Sequence, residues 1–135
     1  MSPVLWPLVI PFVGAILCFM TRHTGIDRWI SVAAALAHTV VSILLVVEVA
    51  DGSILAVQLG DWPAPFGISM VADGLGAAMT LITGITGLAV AVYSISDVGQ
   101  RAAFSGFHSL FQMLLAGVTG AFLTGDLFNL YVWFE

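Results

Sequence analysis

Among the ionisable side chains that lie within long apolar segments of this sequence, His38, His108 and Glu135 are the candidates for chemistry. Insertion scales put the cost of an acidic side chain at the centre of a membrane helix at about 3 kcal/mol, so such a residue is by default a candidate for binding or moving an ion. A carboxylate and an imidazole can both take up and release a proton. We therefore predict that Glu135 serves in proton or ion translocation, with His108 and His38 as further candidates.

Each of these residues also has a structural alternative. Glu135 would then only anchor a contact between helices, and His38 would bond a backbone carbonyl of a neighbouring helix. His108 lies closer than His38 to one end of its segment, where it would serve a proton uptake path or remain purely structural. The residue types alone leave these alternatives open.

The sequence carries no pattern of a soluble enzyme site. It lacks a glycine-rich phosphate loop, a nucleophile beside a base and a zinc-binding HExxH pair. The single cysteine, Cys18, excludes an internal disulfide and a cysteine-cluster metal site. A haem between His38 and His108 fits poorly, because helix geometry places them at different depths of about 13 and 8 Å. We predict a protein that is not an enzyme and has no metal and no cofactor.

The composition indicates a membrane protein. Of the 135 residues, 60% are hydrophobic and 8% are charged, against about 25% charged residues in soluble domains. A chain with so few charges cannot cover a soluble surface with polar side chains. The formal net charge of -5 and the absence of lysine exclude a nucleic acid partner, since nucleic acids are bound by clusters of basic residues.

Five apolar segments follow one another along the chain. A bilayer core about 30 Å thick requires about 20 apolar residues of helix. The segments are nearly continuous rather than alternating, which favours helices over barrel strands. They predict an all-α integral membrane protein with a single domain over 1–135, consisting of four complete transmembrane helices and the start of a fifth, at about 3–20, 29–49, 71–93, 103–124 and 127–135.

The charges at the ends of these segments predict an orientation. Arg22, Arg28 and Arg101 fall in the connections after the first and third segments, which we therefore expect to be cytoplasmic. The N-terminus should then lie on the outer side of the cell membrane. A fifth helix that begins near Leu127 places Glu135 about 12 Å deep, close to the membrane midplane.

The connection between the second and third segments predicts an external β-hairpin over about 54–70. Segments 54–59 and 66–70 are rich in β-formers, and the turn residues 60–65 lie between them. Trp62 in that turn is suited to the headgroup level of a membrane. Asp73 and Asp126 are expected at helix starts, with Gly125 ending the fourth helix.

Small residues recur every four positions in the third and fourth segments. Gly76, Thr80 and Gly84 lie on one face of the third, and the fourth pairs Gly117 with Ala121 and Ala116 with Gly120. Such faces let helix backbones approach closely in lipid. We read them as packing surfaces, and their number implies further helices as partners.

The sequence resembles the D subunits of the Mrp-type multisubunit Na+/H+ antiporters, which are related to the proton-pumping membrane subunits of respiratory complex I. The resemblance covers essentially the whole chain in order and lies in the proline-rich first segment and in the runs GDWPAPFGI (60–68), VAD (71–73), LFQ (110–112), GAFLTGDLFNL (120–130) and Phe134-Glu135. It implies a fold of about fourteen helices containing two inverted five-helix repeats. In that family the glutamate at the position of Glu135 pairs with a lysine of a later helix and tunes its proton affinity.

The resemblance also implies the partners and the location. These are the other membrane subunits of the antiporter complex, the lipid bilayer, Na+ and H+, with the protein in the plasma membrane. One departure is large, since the chain has no lysine and ends at Glu135. A chain terminus beside Glu135 would place two acids in hydrocarbon, so we expect a fragment of a longer subunit. The alternatives are a membrane subunit of a redox-driven proton pump and a truncated scaffold that does not transport.

Overall fold

A computed structural model describes residues 2–60 and 67–135. Asp61, Trp62 and the rest of the central hairpin turn lie outside the described residues. The protein is mostly helical with one two-stranded hairpin, as the sequence predicts. A 3-10 turn at Pro3–Leu5 leads into the elements α1 (Trp6–Thr21), α2 (Asp27–Glu48), β1 (Leu55–Leu59), β2 (Ile68–Ala72), α3 (Gly74–Asp97), α4 (Gln100–Phe104), α5 (Phe107–Leu123) and α6 (Leu127–Phe134).

Within the described ranges, three helical segments are long and apolar enough to cross a membrane: Pro3–Thr21, Asp27–Glu48 and Gly74–Asp97. Helix α5 is apolar but has 17 residues, which at about 1.5 Å per residue is slightly shorter than the bilayer core. The structure therefore shows a multi-pass membrane architecture.

Two helix boundaries differ from the sequence prediction. The third helix does not include residues 71 and 72, because they extend strand β2. It begins at Gly74 instead, after Asp73 caps it by accepting the Gly76 N–H at 2.7 Å. The predicted helix over 103–124 is broken, because Gly106 adopts a φ of 92° between α4 and α5.

The hairpin is antiparallel and pairs Leu55 with Ala72 and Leu59 with Ile68. Strand β2 is also joined to the end of α5. Met70 forms a bridge with Thr124, and the Gly125 N–H donates to the Ser69 carbonyl at 2.9 Å. The hairpin thus closes one end of the helix bundle, which we call the hairpin end. The opposite end carries Arg22, Arg28 and Arg101, and we call it the arginine end.

The apolar core lies at the hairpin end. It joins the starts of α1 and α3 to the ends of α2 and α5 and to the inner face of β2. Its buried members are Val4, Leu8, Leu45, Val49, Met70, Ala72, Ala77 and Leu123. The core fixes the relative heights of these helices and so sets which residues face one another towards the arginine end.

The small residues on α3 and α5 are packing contacts, as predicted. A Cβ atom added to Gly84 would lie 3.0 Å from Thr39 Cα on α2. One added to Gly120 would lie 2.3 Å from Cδ2 of the Trp133 ring on α6. A contact of 2.3 Å is closer than real Cβ atoms come, and one of 3.0 Å is tighter than nearly all of them. These two glycines therefore allow α3 to contact α2 and α6 to contact α5.

Candidate functional site

Helices α2 and α5 run side by side in the same direction and share a row of buried polar residues. Three pairs face each other across the contact, and in each pair the sequence separation is 81 residues. All six residues are at most 2% exposed. We call this row the polar column, and its pairs are Asp27 with His108, Ser31 with Gln112 and His38 with Thr119.

The first pair lies nearest the arginine end. His108 Nε2 is 4.0 Å from Asp27 Oδ2, beyond hydrogen-bond distance. Neither carboxylate oxygen of Asp27, nor Nδ1 of His108, has a hydrogen-bond partner among the described residues. The carboxylate lies in the first turn of α2, where the positive end of the helix dipole favours an acid. The helix end and the neighbouring imidazole therefore offset part of the cost of burying this charge.

The second pair is held by direct hydrogen bonds. The Gln112 amide nitrogen donates to the Ser31 carbonyl at 2.8 Å and to the Ser31 hydroxyl at 3.0 Å. The Gln112 amide oxygen has no partner within the described part of the chain. Gly14 on α1 lies beside this amide and lets α1 approach α2, because an added Cβ would lie 2.7 Å from Ala34 Cβ.

The third pair lies near the middle of the bundle. Thr119 Oγ1 and His38 Nε2 are 3.1 Å apart. The second ring nitrogen, Nδ1, points towards Gly84 on α3, where an added Cβ would lie 3.3 Å away, and it has no partner in ranges 2–60 and 67–135. His38 Nε2 therefore bonds a threonine side chain, rather than the backbone carbonyl of the structural alternative.

Glu135 lies apart from the polar column. It follows the last residue of α6, which begins at Leu127 after Asp126 accepts the Phe128 N–H at 2.9 Å. The Glu135 side chain is exposed and lines an apolar cavity of about 520 Å³ between α5 and α6. The same cavity is lined by α5 residues from Met113 to Phe122, including Gly117, so Glu135 lies beside the middle part of α5.

The structure thus brings two of the three candidate residues into one row and leaves the third outside it. His38 and His108 belong to the polar column, at different heights. Glu135 lies on another face of α5, against Met113 and Gly117 rather than Gln112 and Thr119. The described residues place no basic side chain in the cavity beside Glu135.

Sequence reasoning misses Asp27 and Gln112 as members of a site. Asp27 falls in the connection before the predicted second helix, and Gln112 enters only as part of a family-like run. A usable signal is present, since polar residues recur with the same spacing of four and seven in both helices. That spacing keeps them on one helical face. Within the described ranges, no three His, Cys, Asp or Glu side chains lie close enough together to hold a metal ion.

Comparison with known proteins identifies relatives over nearly the whole chain. No protein-family model matches. The chain is 46% identical over 133 residues to the D subunit of a Na+/H+ antiporter of Bacillus subtilis, covering 98% of this chain and 27% of the relative. It is 43% identical over 142 residues to the D subunit of a probable K+/H+ antiporter of Rhizobium meliloti, covering 98% of this chain and 25% of the relative.

Two solved structures share the fold. A chain of the Mrp complex from Dietzia superimposes with a TM-score of 0.86 at 26% identity, over 98% of this chain and 25% of that one. A chain of an archaeal membrane-bound sulfane sulfur reductase gives a TM-score of 0.88 at 24% identity, over 98% and 28%. At that identity the second likeness shows the fold alone. Over nearly its whole length the chain is thus similar to D subunits of cation/proton antiporters and to a chain of an Mrp complex, and it spans about a quarter of the length of the relatives it matches.

Proposed function

We propose that this chain is the N-terminal part of the proton-translocating subunit of a multisubunit Na+/H+ antiporter. The complex would move Na+ outward in exchange for H+, driven by the proton gradient. The observation that carries the proposal is the 46% identity over 98% of the chain to a D subunit named for this exchange. The other membrane subunits of such a complex, lipid, Na+ and H+ are the proposed partners.

The proposed topology follows from charge and length. Helices α1, α2, α3 and α5 would cross the plasma membrane, and α6 would be the start of a fifth span. The arginine end would be cytoplasmic, because basic residues are retained on that side. The N-terminus and the hairpin would then lie outside, and Glu135 would lie near the midplane of the membrane, beside the middle part of α5.

Glu135 is the proposed switch residue of this subunit. Its carboxylate borders an apolar cavity, where an unpaired charge is strongly unfavourable. A cation brought to it by another segment would stabilise the charged form, and withdrawal of that cation would favour protonation. Since the chain has no lysine, the counter-charge would come from outside it, in keeping with the family resemblance.

The test is Na+/H+ exchange by the complete complex carrying Glu135→Gln. We expect exchange to be abolished while the complex still assembles, because the amide keeps the side-chain volume but cannot carry the proton. Glu48→Gln is the matched control, since Glu48 is an exposed acid at the end of α2. Exchange at the control rate by the Glu135→Gln complex in everted vesicles would falsify the switch role.

A further inference from the structure

The polar column leads from the arginine end to the middle of the bundle. Asp27 and His38 are eleven residues apart on α2, which corresponds to about 16 Å of helix, or roughly half of a bilayer core. His108 and Thr119 are separated by the same number of residues on α5. The column therefore covers the height between one membrane surface and the level of the cavity that Glu135 lines.

Every pair of the column keeps unused hydrogen-bonding capacity. The unpartnered buried atoms within the described residues include both Asp27 oxygens, one ring nitrogen each of His108 and His38, and the Gln112 amide oxygen. Leaving such an atom without a partner costs about 1–3 kcal/mol, so buried polar groups normally bind one another or ordered water. The unpartnered atoms at each pair are therefore suited to binding water molecules.

A polar cavity opens onto the polar column beside its first pair, Asp27 with His108. It has a volume of about 280 Å³, lies at the arginine end and reaches His108. Arg22, His23 and Arg28 also line it, so it is polar where the cavity beside Glu135 is apolar. Water in this cavity could exchange protons with the imidazole, which can bind a proton on one nitrogen and release one from the other.

We infer that the polar column is a proton half-channel between this cavity and the middle of the membrane. His108, which lines the cavity, exchanges protons with it. Asp27, 4.0 Å from His108 Nε2, exchanges protons with His108, and bound water beside Ser31 and Gln112 relays them to His38. Each group passes one proton to the next group and takes up one from the group before it. The net charge of the polar column is therefore unchanged after one proton has passed along it. The inference rests on the proposed antiporter function and adds Asp27 and His108 as the residues through which protons enter or leave.

The titratable and charged groups around the first pair come from three elements. Helix α1 contributes Cys18, whose thiol donates to the Asp27 carbonyl at 3.4 Å. The connection after α1 contributes Arg22 and His23, and α2 contributes Arg28. The residues of α3 and α4 that line the cavity, together with the connection between them, do not titrate; they are Ser94, Ile95, Val98, Ala103 and Phe104.

The experiment measures proton uptake from the arginine end. Everted vesicles containing the complete complex are loaded with Na+ and diluted into Na+-free medium, so that Na+ efflux draws protons from the medium through the cytoplasmic face. Rates are compared across medium pH for wild type, Asp27→Asn, His108→Gln and the conservative Asp27→Glu. Asp97→Asn is the matched control, because Asp97 is an exposed acid at the same end but outside the column.

We expect Asp27→Asn and His108→Gln to slow uptake at least about tenfold, since a positioned proton-transfer group contributes about 10²–10⁴-fold where transfer is limiting. The loss should grow as the medium becomes more alkaline and protons become scarce, and Asp27→Glu should restore the rate. A loss that is equal at every pH would indicate a packing role and overturn the half-channel.

Two further outcomes separate this inference from the proposed function. If Glu135→Gln abolishes exchange while Asp27→Asn and His108→Gln match the control, the half-channel is wrong and the antiporter function stands. If the wild-type complex shows no exchange, both are wrong. Copurification of the subunits shows whether each variant assembles, and should Asp27→Asn fail to assemble, His108→Gln decides the question.

Discussion

The two ends of the helix bundle differ in the polarity of their buried side chains. At the hairpin end, α2 and α5 contribute Leu45 and Leu123 to a continuous apolar core closed by strand β2. Towards the arginine end the same two helices face each other with Asp27, His108 and Gln112, all buried. One end therefore excludes water, whereas the other offers it binding sites.

This difference suits a protein that must let protons reach the membrane interior from one side without leaking. A continuous row of polar atoms through the whole bundle would let protons leak across the membrane and would dissipate a proton gradient. An apolar core across one half prevents this, because neither water nor a charge is stable there. On the proposed function, the hairpin end is the seal and the polar column is the access route.

The largest expected effect comes from placing a charge in the seal. Leu123→Asp would bury an unpaired carboxylate beside Met70, with an expected cost of at least about 3 kcal/mol. We expect little assembled complex, measured by copurification of the subunits. Leu123→Met keeps the volume and should cost less than about 1.5 kcal/mol. Normal assembly of the Leu123→Asp complex would show that the hairpin end is already hydrated.

A second change separates the helices around the column. Gly84→Leu would force α3 away from Thr39 and His38, since even a Cβ there meets Thr39 Cα at 3.0 Å. Overpacking of this kind costs up to about 3 kcal/mol, which should lower the thermal denaturation temperature of the purified complex. Gly74→Ala is the control, because nothing lies within 4 Å of its added Cβ. Equal denaturation temperatures would contradict the close α2–α3 contact.

A third change tests the role of the His38–Thr119 pair of the polar column. Thr119→Val removes the hydroxyl 3.1 Å from His38 Nε2 while keeping the shape, and should cost about 1 kcal/mol of stability. Thr119→Ser retains the hydroxyl and should behave like wild type. Exchange rates and thermal denaturation of the two variants are measured together. If the valine variant matches the serine variant in both, the His38–Thr119 contact has no role in either stability or transport.

The smallest expected effect lies outside both regions, in the connection after α2. The Ser53 N–H donates to Asp51 Oδ1 at 3.0 Å, and this hydrogen bond lowers the pKa of the exposed Asp51 carboxyl. The folded state therefore favours the charged form. Its stabilising contribution is complete above the pKa of an unfolded aspartate, about 3.9, and is lost as the pH falls through the lower folded value.

Asp51→Ala tests this contribution. We expect a slight loss of thermal stability at neutral pH that disappears in acid, measured by denaturation of the complex as a function of pH. A loss that instead increases as the pH falls would contradict the sign of the shift.

Local structure is largely predictable from the sequence. The hairpin follows from β-formers on either side of a proline-rich turn, and the caps at Asp73 and Asp126 follow from short acidic side chains before apolar runs. The break at Gly106 is not predicted, because a single glycine within an apolar segment does not reveal a positive φ. The predicted break at Gly125 is found between α5 and α6. The small size of Gly125 also admits Val71 of strand β2, which the sequence does not reveal.

The candidate site is less predictable because it depends on which helices are neighbours. His38 and His108 stand out as titratable groups in apolar segments, but their partners Thr119 and Asp27 do not. Periodicity shows which face of a helix is polar. It does not show that α2 packs beside α5 in the same direction, because that pairing depends on the tertiary structure. The lysine partner that the family resemblance implies for Glu135 has no counterpart among these residues, since the sequence contains no lysine.

The most direct test of the contrast between the two ends is the reactivity of buried thiols along α2. Cys18 is first replaced by serine, and Ser31→Cys and Leu45→Cys are then compared in the assembled complex, both positions being at most 1% exposed. Small Ag+ ions are added from the cytoplasmic side or from the outside. Our account predicts that the Ser31→Cys thiol reacts from the cytoplasmic side only and that the Leu45→Cys thiol reacts from neither. Equal reactivity of the two thiols, or reaction at position 31 from the outside, would contradict it.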